Sequence, residues 1–207
     1  MKILFSVILI LAYWCNCSTA QPLQAQLTSG YRPQITSSDI NYPFFNSWDG
    51  FVDVPFVGMK ILKPFYYDWY LFAGYRYIFK TQYLPAGNKA RLKHHMFTVG
   101  PYYRSATTEN ETFFINLSAG LGVSITGFEM DVAGVSDNFN KTEPAVFASL
   151  GFEKMIYGPL SIIMELTYNA VNSKVKGTIG NNATDVETTI NTSGLDIALT
   201  FGYEFGL

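Results

Sequence analysis

The chain has 207 residues, 48% of them hydrophobic and 16% aromatic but only 14% charged, whereas a soluble domain ordinarily carries about 25% charged side chains. Beyond Cys15 no stretch approaches the roughly 18 to 20 consecutive apolar residues of a spanning helix, which excludes a polytopic helical membrane protein. The formal net charge is −2, and the scattered lysines and arginines form no basic stripe for phosphate contacts, which excludes nucleic acid as a partner.

Lys2 supplies a positive start, Ile3 to Trp14 an apolar stretch, and Ser18-Thr19-Ala20 the small residues that precede a cut before Gln21. Residues 1–20 therefore read as a cleaved export signal. Its removal takes away Cys15 and Cys17, so the exported chain meets an oxidising compartment without a disulfide. The alternatives are an uncleaved anchor, short for a span, and a lipid-modified cysteine, against which the bulky Tyr13 and Trp14 stand. Residues 21–50 follow as an N-terminal segment. A first strand has room there around Gln34 to Phe45, although the alternation is poor and Pro33 and Pro43 intrude.

From residue 51 onward the signal has a period of two. Strands are predicted at Val52–Leu62, Trp69–Tyr83, His94–Arg104, Thr112–Phe128, Ala145–Met155, Pro159–Ser173 and Ser193–Phe205. In the fourth, Phe113, Ile115, Leu117, Ala119, Leu121, Val123 and Ile125 share one face; Asn116, Ser118, Gly120, Gly122, Ser124 and Thr126 share the other. In the sixth, Leu160, Ile162, Met164, Leu166 and Tyr168 oppose Ser161, Glu165 and Thr167, with Ile163 the exception. In the last, Leu195, Ile197, Leu199, Phe201, Tyr203, Phe205 and Leu207 alternate without a miss against Gly194, Asp196, Ala198, Thr200, Gly202, Glu204 and Gly206.

These strands are longer than the 5 or 6 residues usual in globular sheets, and a tilted strand crossing a bilayer needs about 9 to 11. A soluble barrel would expose the small face to water with hardly a Lys or Glu on it, which soluble surfaces rarely do. The fold class expected is all-β: a transmembrane antiparallel up-and-down barrel over residues 51–207, with a further strand upstream to reach the even number eight. Short connections at 63–68, 105–111 and 156–158 place one end in the periplasm. Long polar loops at 129–144 and 174–192 place the other outside, and the connection Leu84–Lys93 brings Lys89, Arg91 and Lys93 to anionic headgroups.

Ala73-Gly74-Tyr75-Arg76-Tyr77, Val99-Gly100-Pro101-Tyr102-Tyr103-Arg104, Gly151-Phe152-Glu153 before a tight turn, and the final strand resemble the small bacterial outer-membrane barrels of the OmpA/OmpX type, including porin-like barrel domains. The resemblance covers roughly residues 50 to 207. It implies residence in the bacterial outer membrane as a monomer, with lipids, lipopolysaccharide and the barrel-assembly machinery as partners. It also implies an assembly signal at Thr200, Gly202, Phe205 and Leu207, with Leu207 standing where an aromatic end is usual.

Projecting the alternation inward places Lys60, Arg76, Lys80 and Arg104 in the lumen with Glu153, Glu165, Asp196 and Glu204. An eight-stranded interior is just wide enough to be filled by side chains, and an unpaired charge there costs several kcal/mol, so the matched set predicts a lumen plugged by ion pairs. The expected role is structural or surface-interacting rather than enzymatic, without cofactor or metal. Two other readings are a narrow porin-like channel for small solutes and a lipid-modifying enzyme on the same scaffold. For the enzyme, Glu153 and Glu165 lack a fixed separation. His94 and His95 point to opposite faces, and His95 has no recognisable Ser or carboxylate partner. Asp131, Asp137, Asn138 and Asn140 lack EF-hand spacing. Trp69, Tyr103, Phe113, Tyr157, Tyr203 and Phe205 all fall at the periplasmic strand ends, as an interfacial girdle does.

Overall fold

The computed structural model describes residues 23–38, 50–84, 87–107, 112–132, 135–179 and 184–205, with side chains other than those of 37–38, 132–137 and 172–189. The export signal therefore lies outside the described residues. Ten strands follow in order: β1 Leu23–Ser38, β2 Gly50–Tyr66, β3 Trp69–Tyr83, β4 Lys89–Ala106, β5 Phe113–Val132, β6 Val135–Tyr157, β7 Leu160–Ala170, β8 Asn172–Ile179, β9 Thr184–Asn191 and β10 Gly194–Phe205. Neighbours from β1 to β7 pair antiparallel in chain order, β7 pairs with β10, and β10 returns to β1 from Leu23↔Phe205 to Tyr31↔Ile197. Eight strands thus close a barrel. The β8–β9 hairpin continues the wall upward from β7 and β10, and β9 adds a short pairing to the upper end of β1, Thr36↔Asn191 to Ser38↔Thr189.

The first strand corrects the expected position. It begins at Leu23, upstream of the 34–45 stretch, so the first strand does lie in the 21–50 segment but earlier in it than expected. Its inward set is Gln24, Gln26, Thr28 and Arg32, all buried, while Leu27 and Tyr31 face out. The polar inward residues are too unlike a soluble core, and the outward ones too few, for the alternation to stand out. Pro33 falls on β1 beyond the pairing with β10.

The outer loops also differ from expectation. Residues 129–132 and 135–144 belong to β5 and β6, which stay paired up to Val132↔Val135. Most of 174–192 is likewise the β8–β9 hairpin, and Lys89, Arg91 and Lys93 belong to β4. At the other end two of the expected short connections are tighter still, with 63–66 and 156–157 belonging to strands, and of the third, residues 108–111 lie outside the described residues. Tyr67 and Asp68 turn β2 into β3, and Gly158 with Pro159 turns β6 into β7. Gly158 has φ +52 with open space around it. A side chain would fit there but would strain the backbone.

Alternation is clearest in β7 and β10, where inward residues are buried and outward ones exposed apart from the half-buried Ile162, Gly194 and Glu204. Outward apolar residues such as Leu121, Met164, Leu199 and Phe201 stay exposed on the barrel wall, forming the lipid-facing band of a membrane barrel. Inside, two glycines give up their Cβ to rings from neighbouring walls. A Cβ at Gly120 would come within 2.8 Å of the Phe147 ring, and one at Gly30 within 2.6 Å of Phe56. Phe147 stacks edge-on against Phe72 at 5.3 Å, beside Leu62 and Tyr102. Nearer the outer end, Ile35, Phe51, Val54, Phe56, Ile78, Leu92, Phe128, Met130 and Phe139 form an apolar cluster within the barrel.

Candidate functional site

The inward positions gather the charges into two groups at different heights. The upper group is centred on Asp196 of β10, which is wholly buried. It accepts hydrogen bonds from Arg32 Nε at 2.5 Å and Nη2 at 3.0 Å, from Arg76 Nη1, and from Asn169 Nδ2 at 2.6 Å. Arg32 also donates to the Thr192 carbonyl. Arg76 Nη2 lies 3.8 Å from Glu165, whose two carboxylate oxygens take Lys60 Nζ at 2.7 and 2.6 Å and whose Oε1 also accepts from Thr167. The Arg76 guanidinium lies 4.5 Å from the centre of the Phe56 ring, a cation–π contact.

The lower group sits at the periplasmic end. Arg104 holds Glu153 by a two-pronged contact, Nε at 2.9 Å and Nη2 at 3.0 Å, and reaches Glu204 through Nη1 at 2.5 Å. Asn116 and Gln24 donate to the same Glu153 carboxylate at 2.9 and 3.3 Å, and the guanidinium rests 3.8 Å over the Phe114 ring. Gln26, bonded to Gln24 and to the Tyr102 hydroxyl, continues the hydrogen bonds upward. Charge is unevenly divided: three cations face two acids above, and one cation faces two acids below. Across both groups the described charges balance. A void of about 20 Å³ beside Thr28, Lys60, Arg76 and Thr98 has room for about one water.

The expected set is brought together with one exchange. Lys60, Arg76, Arg104, Glu153, Glu165, Asp196 and Glu204 are all in the two groups, but Lys80 is not. It lies one inward step above Ile78, where the lumen is apolar, and its Nζ instead reaches the Asp53 carbonyl at 3.1 Å in an exposed position. Burying a lone ammonium among Ile78, Leu92 and Phe128 would cost several kcal/mol. Arg32 takes its place, a residue that the misplaced first strand left unread. Its signal was the inward Gln24, Gln26, Thr28 spacing that leads to it.

Of the positions that the resemblance implied for assembly, Thr200 faces inward and bonds Thr28 at 2.9 Å across the closing seam, Gly202 lies against Ser161, and Phe205 packs on Tyr203 outside. Leu207 lies outside the described residues. Trp69 and Tyr103 pack at 5.0 Å, and with the exposed Phe113, Tyr157, Tyr203 and Phe205 they ring the periplasmic rim. The two histidines point to opposite faces. His94 is buried and bonds Thr126 at 2.9 Å, and His95 faces out, bonded to the Tyr75 hydroxyl at 2.8 Å. Glu153 and Glu165 belong to different groups, the first held by Arg104 and the second by Lys60 and Arg76. Among the described residues no cluster of His, Cys, Asp and Glu could hold a metal; the side chain of Asp137 is outside them.

No protein-family model and no curated protein matches the sequence. Solved structures do match in fold. The outer membrane protein OprG of Pseudomonas aeruginosa aligns with TM-score 0.63 and 18% identity over 91% of this chain and 97% of its own. Neisserial surface protein A aligns with TM-score 0.54 and 12% identity over 89% and 99%. A major outer membrane protein of Thermus thermophilus aligns with TM-score 0.55 and 6% identity over 89% and 100%. At such identities the likeness speaks for the fold, and the apolar outer wall independently requires a lipid surround. The chain is an antiparallel eight-stranded β-barrel of the bacterial outer membrane, with the fold of the small OmpA/OmpX-type barrels.

Proposed function

We propose that this barrel does not conduct, and that it serves a structural or surface-interaction role with its lumen closed by ion pairs. The observation that carries the reading is the span of the pairs. Arg104 on β4 and Glu204 on β10 stand on opposite walls of an eight-stranded ring, and Arg76 on β3 and Lys60 on β2 each reach acids three strands away. Side chains that meet across the lumen occupy the path a solute would take. The apolar cluster of Phe51, Phe128 and Phe139 nearer the outer end adds a second layer that disfavours ions and water. A catalytic role draws less support, because His95 is engaged by a tyrosine rather than by a serine and a carboxylate.

Purified protein in planar bilayers tests this reading. The expected trace is flat at moderate voltage. Repeatable, ion-selective steps would overturn the plug in favour of a narrow channel.

A further inference from the structure

The outward face of the barrel carries a depression of about 250 Å³ lined by Arg91, Lys93, His95, Ile125, Gly127, Glu129, Asn138 and Asn140. Its floor is Gly127. Lys93 stands opposite Gly127 on β4 and Asn140 opposite it on β6, so one row across the sheet reads Phe79, Lys93, Gly127, Asn140. Missing one side chain between two long ones creates the hollow. The row below, Tyr77, His95, Ile125, is aromatic and apolar as far as β5 and ends at Thr142 on β6; His95 stacks on Tyr77 at 4.7 Å, and Phe97 and Val123 continue downward exposed.

Charge falls unevenly over this face. Going up β4, Lys89 stands opposite Asp131, and Arg91 stands opposite Glu129 and bonds it at 2.7 Å. Among the described residues Lys93 has no acid in its row. It is exposed, it is the first cation above the lipid-facing band, and two exposed asparagine side chains stand on the same wall of the hollow. A cation with amide donors immediately above an apolar, aromatic wall is complementary to one kind of molecule, whose acyl chains lie along that wall and whose phosphate reaches the level of Lys93.

We propose that this depression is a binding site for a phosphate-bearing lipid of the outer leaflet, with Lys93 on the phosphate, Asn138 and Asn140 donating to the headgroup, and the Phe97–Val123 wall taking a chain. Arg91, already oriented by Glu129, forms the upper rim. The site is independent of whether the lumen conducts.

The test is native mass spectrometry of detergent-solubilised protein mixed with bis-phosphorylated lipid A, with its dephosphorylated form in a parallel sample. Wild type is expected to retain the phosphorylated lipid and release the other. Lys93→Gln, alone and with Arg91→Gln, should lower the retained fraction at least fivefold. Gly127→Met keeps every charge and fills the hollow; its Cβ meets only the movable Asn140 amide closely, at 3.0 Å, and it should lower retention as well. Lys154→Gln, an exposed cation near the periplasmic girdle, should leave retention unchanged. Heat-modifiable gel migration confirms that each variant is folded, and the single and groove-filling variants keep the test alive if one fails to fold. Equal retention by wild type, Lys93→Gln and Gly127→Met would overturn the site. So would equal loss with Lys154→Gln, which indicates diffuse attraction, or displacement by millimolar inorganic phosphate, which indicates a site for the free anion.

Discussion

The lower and upper parts of the barrel use the same alternation with opposite chemistry. In the lower part of β5 the outward residues are Ile115, Leu117, Leu121, Val123 and Ile125, and the inward ones Asn116, Ser118, Ser124 and Thr126; above Gly127 the outward residues become Glu129 and Asp131 and the inward ones Phe128 and Met130. On β4 the outward run Val99, Phe97 gives way to Lys93, Arg91 and Lys89, while Thr98 and His94 inside give way to Leu92 and Ala90. Side-chain direction does not change at this row; the solvent outside does. Where lipid surrounds the wall, apolar groups face out and the polar ones must find one another within. Where water surrounds it, the wall buries apolar groups like a soluble sheet. The lumen is therefore filled twice, by ion pairs within the bilayer and by aromatic and aliphatic packing beyond it.

The largest effect should come from breaking the lower filling. Asp196→Leu leaves Arg32 without an acid and Arg76 with only Glu165 at 3.8 Å, and loss of one partner from a buried ion pair costs roughly 3 to 5 kcal/mol, here at the upper end because the one carboxylate serves both guanidinium groups. Urea unfolding in micelles measures it. Phe128→Ala attacks the upper filling. The ring is wholly buried between Phe51 and Phe139, and its removal should cost roughly 3 to 5 kcal/mol, less if the protruding β5–β6 hairpin collapses onto the space. If the two parts are distinct, the Phe128 variant should lose protection from proteolysis in its outer hairpins first, while the Asp196 variant should lose the heat-resistant fold as a whole.

A third variant sharpens the boundary. Leu199→Arg puts a charge on the lipid face and should cost about 2 to 4 kcal/mol in a bilayer, whereas Leu199→Ile should be nearly silent. The smallest effect belongs above the boundary. Glu129→Gln removes the partner of a half-exposed Arg91, and such pairs are worth about 0 to 1 kcal/mol. A loss of several kcal/mol there, in the same unfolding assay, would mean that the outer wall is not in water.

Where the two parts differ also explains what could be read in advance. Strands below the boundary are legible because lipid demands an unbroken apolar face: Trp69–Tyr83 matches residue for residue and the last strand differs only at its start. Above it the periodicity persists, but residues 129–144 present Glu129, Asn138 and Asn140 to water, and polar residues at alternate positions resemble a loop when an apolar outer face is the criterion. The same reasoning covers the site. Seven of the eight charges were legible because polar inward residues stand out on a membrane strand. Lys80 departs from the expected set because its strand has passed into the apolar-filled part, and Arg32 does not stand out because β1 shows only Leu27 and Tyr31 as large exposed outward residues.

The most direct test is a nitroxide scan along β5 from position 115 to 131 in lipid vesicles, read with one quencher soluble in lipid and one soluble in water. Labels at 115, 117, 121, 123 and 125 should respond to the lipid-soluble reagent, those at 127, 129 and 131 to the water-soluble one, and the inward labels at 116, 118, 124, 126 and 128 to neither. Water-soluble quenching of the inward labels, or lipid exposure continuing unchanged to 131, would contradict a sealed barrel whose walls exchange polarity at Gly127.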